Sequence, residues 1–189
     1  GTGIGPMMEA ARMIAKSGAK PKGTMLFIGF AGEEFGLLGA QAWVKAHKDK
    51  LPKIANLFNR DGGPEPPVGI SVPQAMYDDF VKISEPIQKI RPDYPFEVKV
   101  REPRKRPTRM GGTDASVFAI EGVPTLGFTT EDFKGYDFDY GEIWHTERDL
   151  YTKNIPEYQE HTATVTAIIA LGVANLDKQL SREGLYTEE

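Results

Sequence analysis

Ile4, Met7, Met8, Ala11 and Ile14 recur at intervals that suit one helical stripe, and Gly18 closes the helix they predict. Residues 24–30 (TMLFIGF) form a short, unbroken apolar run with a β-branched and aromatic share, the pattern of a strand buried on both faces. Residues 37–47 return to a helical pattern. Residues 54–59 predict a second strand, which ends at Asp61-Gly62-Gly63. Pro73 opens a helix in which Met76, Phe80, Ile83, Ile87 and Ile90 step by four and three. Residues 96–100 alternate like a strand, Thr113 or Asp114 caps a helix running toward Ile120, and residues 123–128 predict another strand. Residues 129–143, rich in Asp, Gly and aromatics, predict a long loop. Pro156 suits the first turn of a last helix, with Val165, Ile168, Ile169, Val173, Leu176 and Leu180 as its apolar side. Residues 181–189 read as a frayed polar tail.

This alternation predicts an α/β fold: a three-layer sandwich with a mostly parallel central sheet and helices on both faces. The 189 residues support one core, and no repeat or interdomain linker divides them, so one domain over residues 1–180 is followed by a tail over 181–189. In such sheets ligands bind beyond the carboxyl ends of the strands, which directs attention there.

Composition narrows the function. The net charge is −4, with 26% charged residues and no basic excess, which argues against a nucleic-acid partner. The locally basic residues 101–109 (REPRKRPTR) carry prolines and read as a solvated loop. The absence of cysteine removes disulfides, thiolate metal sites and cysteine nucleophiles. No run is long and apolar enough to predict a membrane span. The first residues, GTGIGPMMEAARMI, already read as the entrance to a helix, as though inside a larger domain, so the lack of a targeting signal carries no information.

The predicted strand ends carry Glu33 and Glu34 after the first strand and Asp61 after the second. Asp114 opens the helix before the strand over residues 123–128, and His145 follows the loop behind that strand. Carboxylates with one imidazole, on separate loops at one sheet edge, are the donors a borderline divalent metal such as zinc accepts. Each also has a plain structural reading. The glutamates suit a helix entrance, Asp61 a turn, Asp114 a cap, and His145 an exposed surface. His47 and His161 fall on helix patterns and read as structural.

Four stretches, GFAGEEFGLLGAQAWV, NRDGG, GGTDASVFAIEGVPTLGF and WHTERDLYT, in this order and spacing, resemble the co-catalytic zinc exopeptidases of the M28 aminopeptidase family. The likeness is nearest to the plasma glutamate carboxypeptidase-like dipeptidases and runs from residue 1 to about 178. It implies that residues 1–180 are the C-terminal portion of a catalytic domain whose N-terminal strands are missing. It further implies a zinc-dependent aminopeptidase or dipeptidase acting on peptide or dipeptide substrates near a free amino terminus. By the same resemblance Glu33 is the general base, Glu34 and His145 are ligands of one zinc, and Asp61 is a ligand of the other. Asp114 lies beside the site as a pocket-shaping group. Two Zn2+ about 3.5–4 Å apart would share a water in the parent protein.

The departures are also informative. The family's histidine in a His-x-Asp element and its bridging aspartate have no counterpart here, so this chain alone is expected to bind metal weakly or not at all and to be inactive. Trp144 stands where many relatives place a tyrosine that supports the oxyanion, which leaves Tyr136 and Tyr140 as alternative donors. The resemblance favours a secreted, periplasmic or otherwise extracytoplasmic location. Two other readings compete: a non-catalytic peptidase-like binding domain, against which Glu33, Glu34, Asp61 and His145 argue, and a single-zinc glutaminyl cyclase. Arg101, Arg104, Arg106 and Arg109 are candidates for selecting acidic groups. A homodimer through an unpaired strand edge is a further expectation.

Overall fold

The computed structural model describes residues 1–187. Its centre is α6 (Pro156–Ala174), which starts with Pro156 in the first turn, where a missing N–H costs nothing. Tyr158, His161, Val165 and Ile169 are buried, and so are the small or hydroxylated residues between them. Buried hydroxyls need acceptors, and Thr162 and Thr164 donate to the carbonyls of Tyr158 and Glu160 at 2.7 and 2.9 Å. The helix stops at Ala174, so Leu176 and Leu180 lie beyond it, although Leu180 still enters the core.

Three elements pack against α6: α1 (Ile4–Lys16), α3 (Tyr77–Ile90) and the strand β1 (Pro67–Val72). In α1 the buried residues are Pro6 and Ala10, while Ile4 and Met8 of the expected stripe are 52% and 66% exposed. The sheet has the order β2-β1-β3. β1 runs parallel to β2 (Glu97–Val100), with α3 as the crossover, and antiparallel to β3 (Phe128–Thr130). Gly69 sits where any side chain would strike the Glu97 carbonyl, so only glycine keeps the two strands in register. The main core gathers Ile70 and Val72 with Met76, Phe80, Ile87, Leu126, Val165, Ile169, Leu180 and Leu185. A second core lies between α2 (Leu38–Ala46) and α4 (Ala115–Ile120), around Leu37, Ala40, Val44, Leu51, Val117, Phe118 and Val123.

The expected α/β architecture is present, with differences that have physical causes. β1 occupies residues to which the hydrophobic pattern assigns no element. Prolines at 64, 66 and 67 disguise it, yet Pro67 is merely the first strand residue, where proline is tolerated. Residues 54–59 and 123–127 lie side by side without a regular ladder. Leu57 N donates to Pro124 O at 2.9 Å, and the Asn56 side chain clasps both Leu126 N and Leu126 O. Pro124 has no N–H to continue a ladder. Residues 24–30 carry no strand, because no neighbouring segment among the described residues offers them main-chain partners. Leu26, Phe27 and Ile28 are consequently exposed.

The long loop after β3 contains α5 (Tyr140–Ile143), capped by the Asp139 carboxylate, which accepts from Gly141 N at 2.8 Å. Residues 181–187 pack where fraying was expected. Leu185 is buried, and the Arg182 guanidinium donates to the carbonyls of Leu51, Pro52, Ile54 and Gly122. Residues 188 and 189 of that expected tail lie outside the described residues.

His161 is fully buried on α6, stacked on Tyr94 with ring centroids 3.9 Å apart, and its Nε2–H donates to Pro67 O at 2.9 Å. Nδ1 has no partner among the described residues. Burial lowers the imidazole pKa to about 4, against an ordinary value near 6.5. The neutral ring therefore supports the fold above about pH 6.5, and this support is lost as the pH falls through about 4. The full loss is of order 3 kcal/mol. Denaturant unfolding at pH 7 and pH 4.5 should show that loss in the native chain, and His161→Phe should remove most of the difference.

Candidate active site

Glu33 and Glu34 stand on a tight turn between residues 31 and 39. Gly36 N and Leu37 N both donate to Glu33 O, Leu38 N to Gly32 O, and Gly39 N to Ala31 O at 2.8 Å. A side chain at Gly39 would collide with the Ala31 main chain, so glycine lets the turn close. Leu37 takes a left-handed conformation (φ 61°), unusual for a branched residue, and burial of its side chain between α2 and α4 compensates. The apolar anchor thus orients the two carboxylates that precede it. Glu33 is half-buried, and Glu34 is exposed.

His145 follows Trp144 at the end of α5, also left-handed at φ 56°. This conformation brings its Nε2 to 3.1 Å from Glu34 Oε1, across 111 residues of sequence. The Trp144 ring lies 4.6 Å from the imidazole and is largely exposed. Asp61 ends the segment beside residues 123–127, and its loop is tied to the next by Asn59 Nδ2, which donates to Thr113 Oγ1 at 3.1 Å. Asp114 follows Thr113. It is 8% exposed and does not cap α4, and its Oδ1 has no partner among the described residues. Thr113 Oγ1 takes the capping role instead, accepting from Ala115 N.

These carboxylates feel one another. Burial raises the Glu33 pKa, and Asp61, Glu34 and Asp114 raise it further against the opposing effect of His145. Asp61 is raised by burial and then by Glu34, and Asp114 by burial and then by Asp61. The Tyr140 phenol is raised by burial and then by Asp61, Glu34, Asp149 and Glu33, which places it at the same cluster. Tyr136 lies elsewhere: its hydroxyl is committed to Glu157 and its ring meets Tyr158 edge-on. The structure thus brings Glu34 and His145 into contact, with Trp144 beside His145, and leaves Glu33, Asp61, Asp114 and Tyr140 within electrostatic reach of that pair or of one another. Asp149, four residues after His145 in the same motif, also raises the Tyr140 pKa and was not singled out in the sequence.

Repelling carboxylates with an orphaned buried oxygen favour a cation. The donor chemistry, oxygen plus one imidazole nitrogen, fits zinc. The preorganised part is the Glu34–His145 pair, since among the described residues no three His, Asp or Glu side chains converge closely enough to hold an ion.

A profile of peptidase family M28 matches residues 1–169, and the chain belongs to that family. Carboxypeptidase Q of Mus musculus is 24% identical over 179 residues, covering 92% of this chain and 34% of its own length. A probable zinc metalloprotease of Pyrenophora tritici-repentis is 42% identical over 60 residues, 32% of this chain and 13% of that protein. Among solved structures, the peptidase M28 precursor from Shewanella amazonensis SB2B superposes with a TM-score of 0.73 at 25% identity, covering 95% of this chain and 38% of that one. An aminopeptidase from Aneurinibacillus sp. strain AM-1 shares the fold with a TM-score of 0.57 at 18% identity, covering 94% of this chain and 39% of its own. The chain thus spans about a third of the length of the carboxypeptidase Q relative.

Without metal, the raised carboxyl groups contribute most to stability when protonated, and that contribution falls as the pH rises through their raised values, opposite in sign to His161. Carboxyl titration by NMR should place Glu33 above a free glutamate. Asp61→Asn should move both Glu33 and Asp114 down; unchanged midpoints would show that the carboxylates do not interact.

Proposed function

We propose that this chain carries the hydrolytic edge of a zinc-dependent exopeptidase that cleaves peptide bonds near a free amino terminus. The observation that carries the reading is the 3.1 Å Glu34–His145 contact beside a half-buried Glu33 whose proton affinity is raised. Glu34 and His145 would hold one zinc, and Asp61 would contribute to a second. Bound zinc supplies Lewis acidity, which polarises a carbonyl and acidifies water. Glu33 then acts as the base that takes a proton from the attacking water and returns it to the leaving amine. A base with a raised pKa is better matched to that exchange near neutral pH. Tyr140 is the phenol that donates to the carbonyl oxygen as it gains charge, with the Trp144 indole N–H as the other candidate donor. Asp114 and Asp61 draw the substrate ammonium toward the cluster, which gives preference for a free amino terminus.

Likeness to the peptidase M28 precursor of Shewanella amazonensis SB2B supports an extracytoplasmic location for the parent. The described residues contain no helix long and apolar enough to cross a membrane. In the isolated chain, two copies are proposed to pair through residues 24–30, an uncharged segment with no main-chain partners among the described residues.

In the zinc-loaded full-length protein, Glu33→Gln should lower kcat about 10²–10⁴-fold while zinc content and KM hold. Failure of the native full-length protein to cleave any member of a panel of aminoacyl anilides and dipeptides would defeat the reading. For the chain alone, calorimetric zinc titration should give weak binding that Glu34→Ala and His145→Ala each remove, and a tight two-metal isotherm would contradict the ligand assignment. Leu26→Lys should shift any dimer to monomer in sedimentation.

A further inference from the structure

A cavity of about 530 Å³ adjoins Asp61. Its wall is unlike the carboxylate cluster. Hydroxyl residues Ser71, Thr113 and Thr129 line it together with two arginines, Arg60 and Arg104, and Asp61 is its one acidic member. Arg60 is held in place by donation to the main-chain carbonyl of Glu65, an uncharged partner. Its Nε is buried with no hydrogen-bond partner among the described residues, and the Glu65 carboxylate partly offsets the cost of burying its charge without meeting it in an ion pair. Arg104 is exposed; its main chain pairs with Leu185 and Thr187, and its solvated side chain makes no hydrogen bond or ion pair among the described residues, so of the two arginines only Arg60 carries a buried unpartnered nitrogen.

Buried guanidinium nitrogens without a partner are costly, and a planar fork of donors matches a carboxylate better than any neutral group. We infer that this cavity is a subsite for a carboxylate of the bound peptide, with Arg60 and Arg104 as its specificity-determining residues. The inference rests on the peptidase reading above. The hydroxyls of Ser71 and Thr129 complete the site, since they can donate to whichever carboxylate oxygens the arginines leave free. Asp61, at the border, sets the direction: a peptide lying across it presents its ammonium to the carboxylates and its carboxylate to the arginines, so one substrate dipole spans two fields of opposite sign. The carboxylate has two sources, the peptide's C-terminus or an acidic side chain.

The test is an amide-detected NMR titration of the full chain with Ala-Ala, Ala-Ala amide and Ala-Glu amide, following Gly127 and Thr129 at the cavity wall. Saturable shifts with Ala-Ala but not with Ala-Ala amide assign the C-terminal carboxylate, and shifts with Ala-Glu amide but not with Ala-Ala assign the side chain. Either result supports the subsite, provided that Arg104→Glu weakens Kd at least tenfold. Arg60→Met should weaken it similarly; if that variant fails to fold, Arg104→Glu decides alone. Equal binding of the neutral Ala-Ala amide, or a Kd within twofold of native in Arg104→Glu, overturns the inference. Hydrolysis of alanine anilide by the zinc-loaded full-length protein separates the two levels. Cleavage without carboxylate preference sinks the subsite only, and carboxylate binding without any cleavage sinks the peptidase reading only.

Discussion

Burial of α6 on nearly every side is the constraint from which the remaining architecture follows. A helix that presents Tyr158, His161, Val165 and Ile169 together with buried threonines cannot stand at a surface, so α1, α3 and β1 must cover it. Two of the buried hydroxyls, Thr162 and Thr164, close on their own helix, while Thr166 Oγ1 is buried with no partner among the described residues. With α6 enclosed, β1 lies at a set depth, and β2 and β3 join its two edges. The chemistry-bearing loops then emerge around that framework, held by polar clasps such as Asn56 on Leu126 and Asn59 on Thr113.

At the candidate site, rigidity is bought with backbone strain. Leu37 and His145 both occupy left-handed conformations, one compensated by burial and the other by the Glu34 contact. Leu37 lies on the turn that carries Glu33, and His145 meets Glu34. The carboxyl groups there raise one another's proton affinity, an arrangement unfavourable for the metal-free fold and suited to the arrival of something cationic. Two basic side chains, Arg60 and Arg104, line the adjoining cavity, in which Asp61 is the one acidic lining residue among those described.

Helices α2, α3, α4 and α6 were legible because their apolar spacing and proline positions agree with how they are packed. The apolar stripe of α1 was legible as a helix but not as a buried face, since Ala10 and Pro6, not Ile4 and Met8, allow the close approach to α6. β1 was hidden by its prolines. An apolar run such as residues 24–30 announces a strand but cannot reveal whether a pairing partner is present, which is a property of the assembled fold. The carboxylates and His145 could be named from their motifs; of these, Glu34 and His145 are in contact, while Glu33, Asp61 and Asp114 act on one another only through their charges. That Tyr140 joins them while Tyr136 turns to Glu157 was not readable, because both lie on one loop and only tertiary packing separates them. Arg60 was overlooked because its neighbour Asp61 drew the chemical interest of NRDGG; an arginine adjoining a predicted buried strand was the available clue.

The contacts of Arg182 have a consequence for cooperativity. Leu51 and Val123 belong to the core between α2 and α4, whereas Leu180 and Leu185 belong to the core around β1 and α6. A single guanidinium, placed between Leu180 and Leu185 in sequence, bonds to main-chain carbonyls at Leu51 and at Gly122, next to Val123. Two cores joined only by connecting loops would open as separate units. With the chain end clasped across them, opening one strips partners from the other, and the two are coupled into one unfolding event.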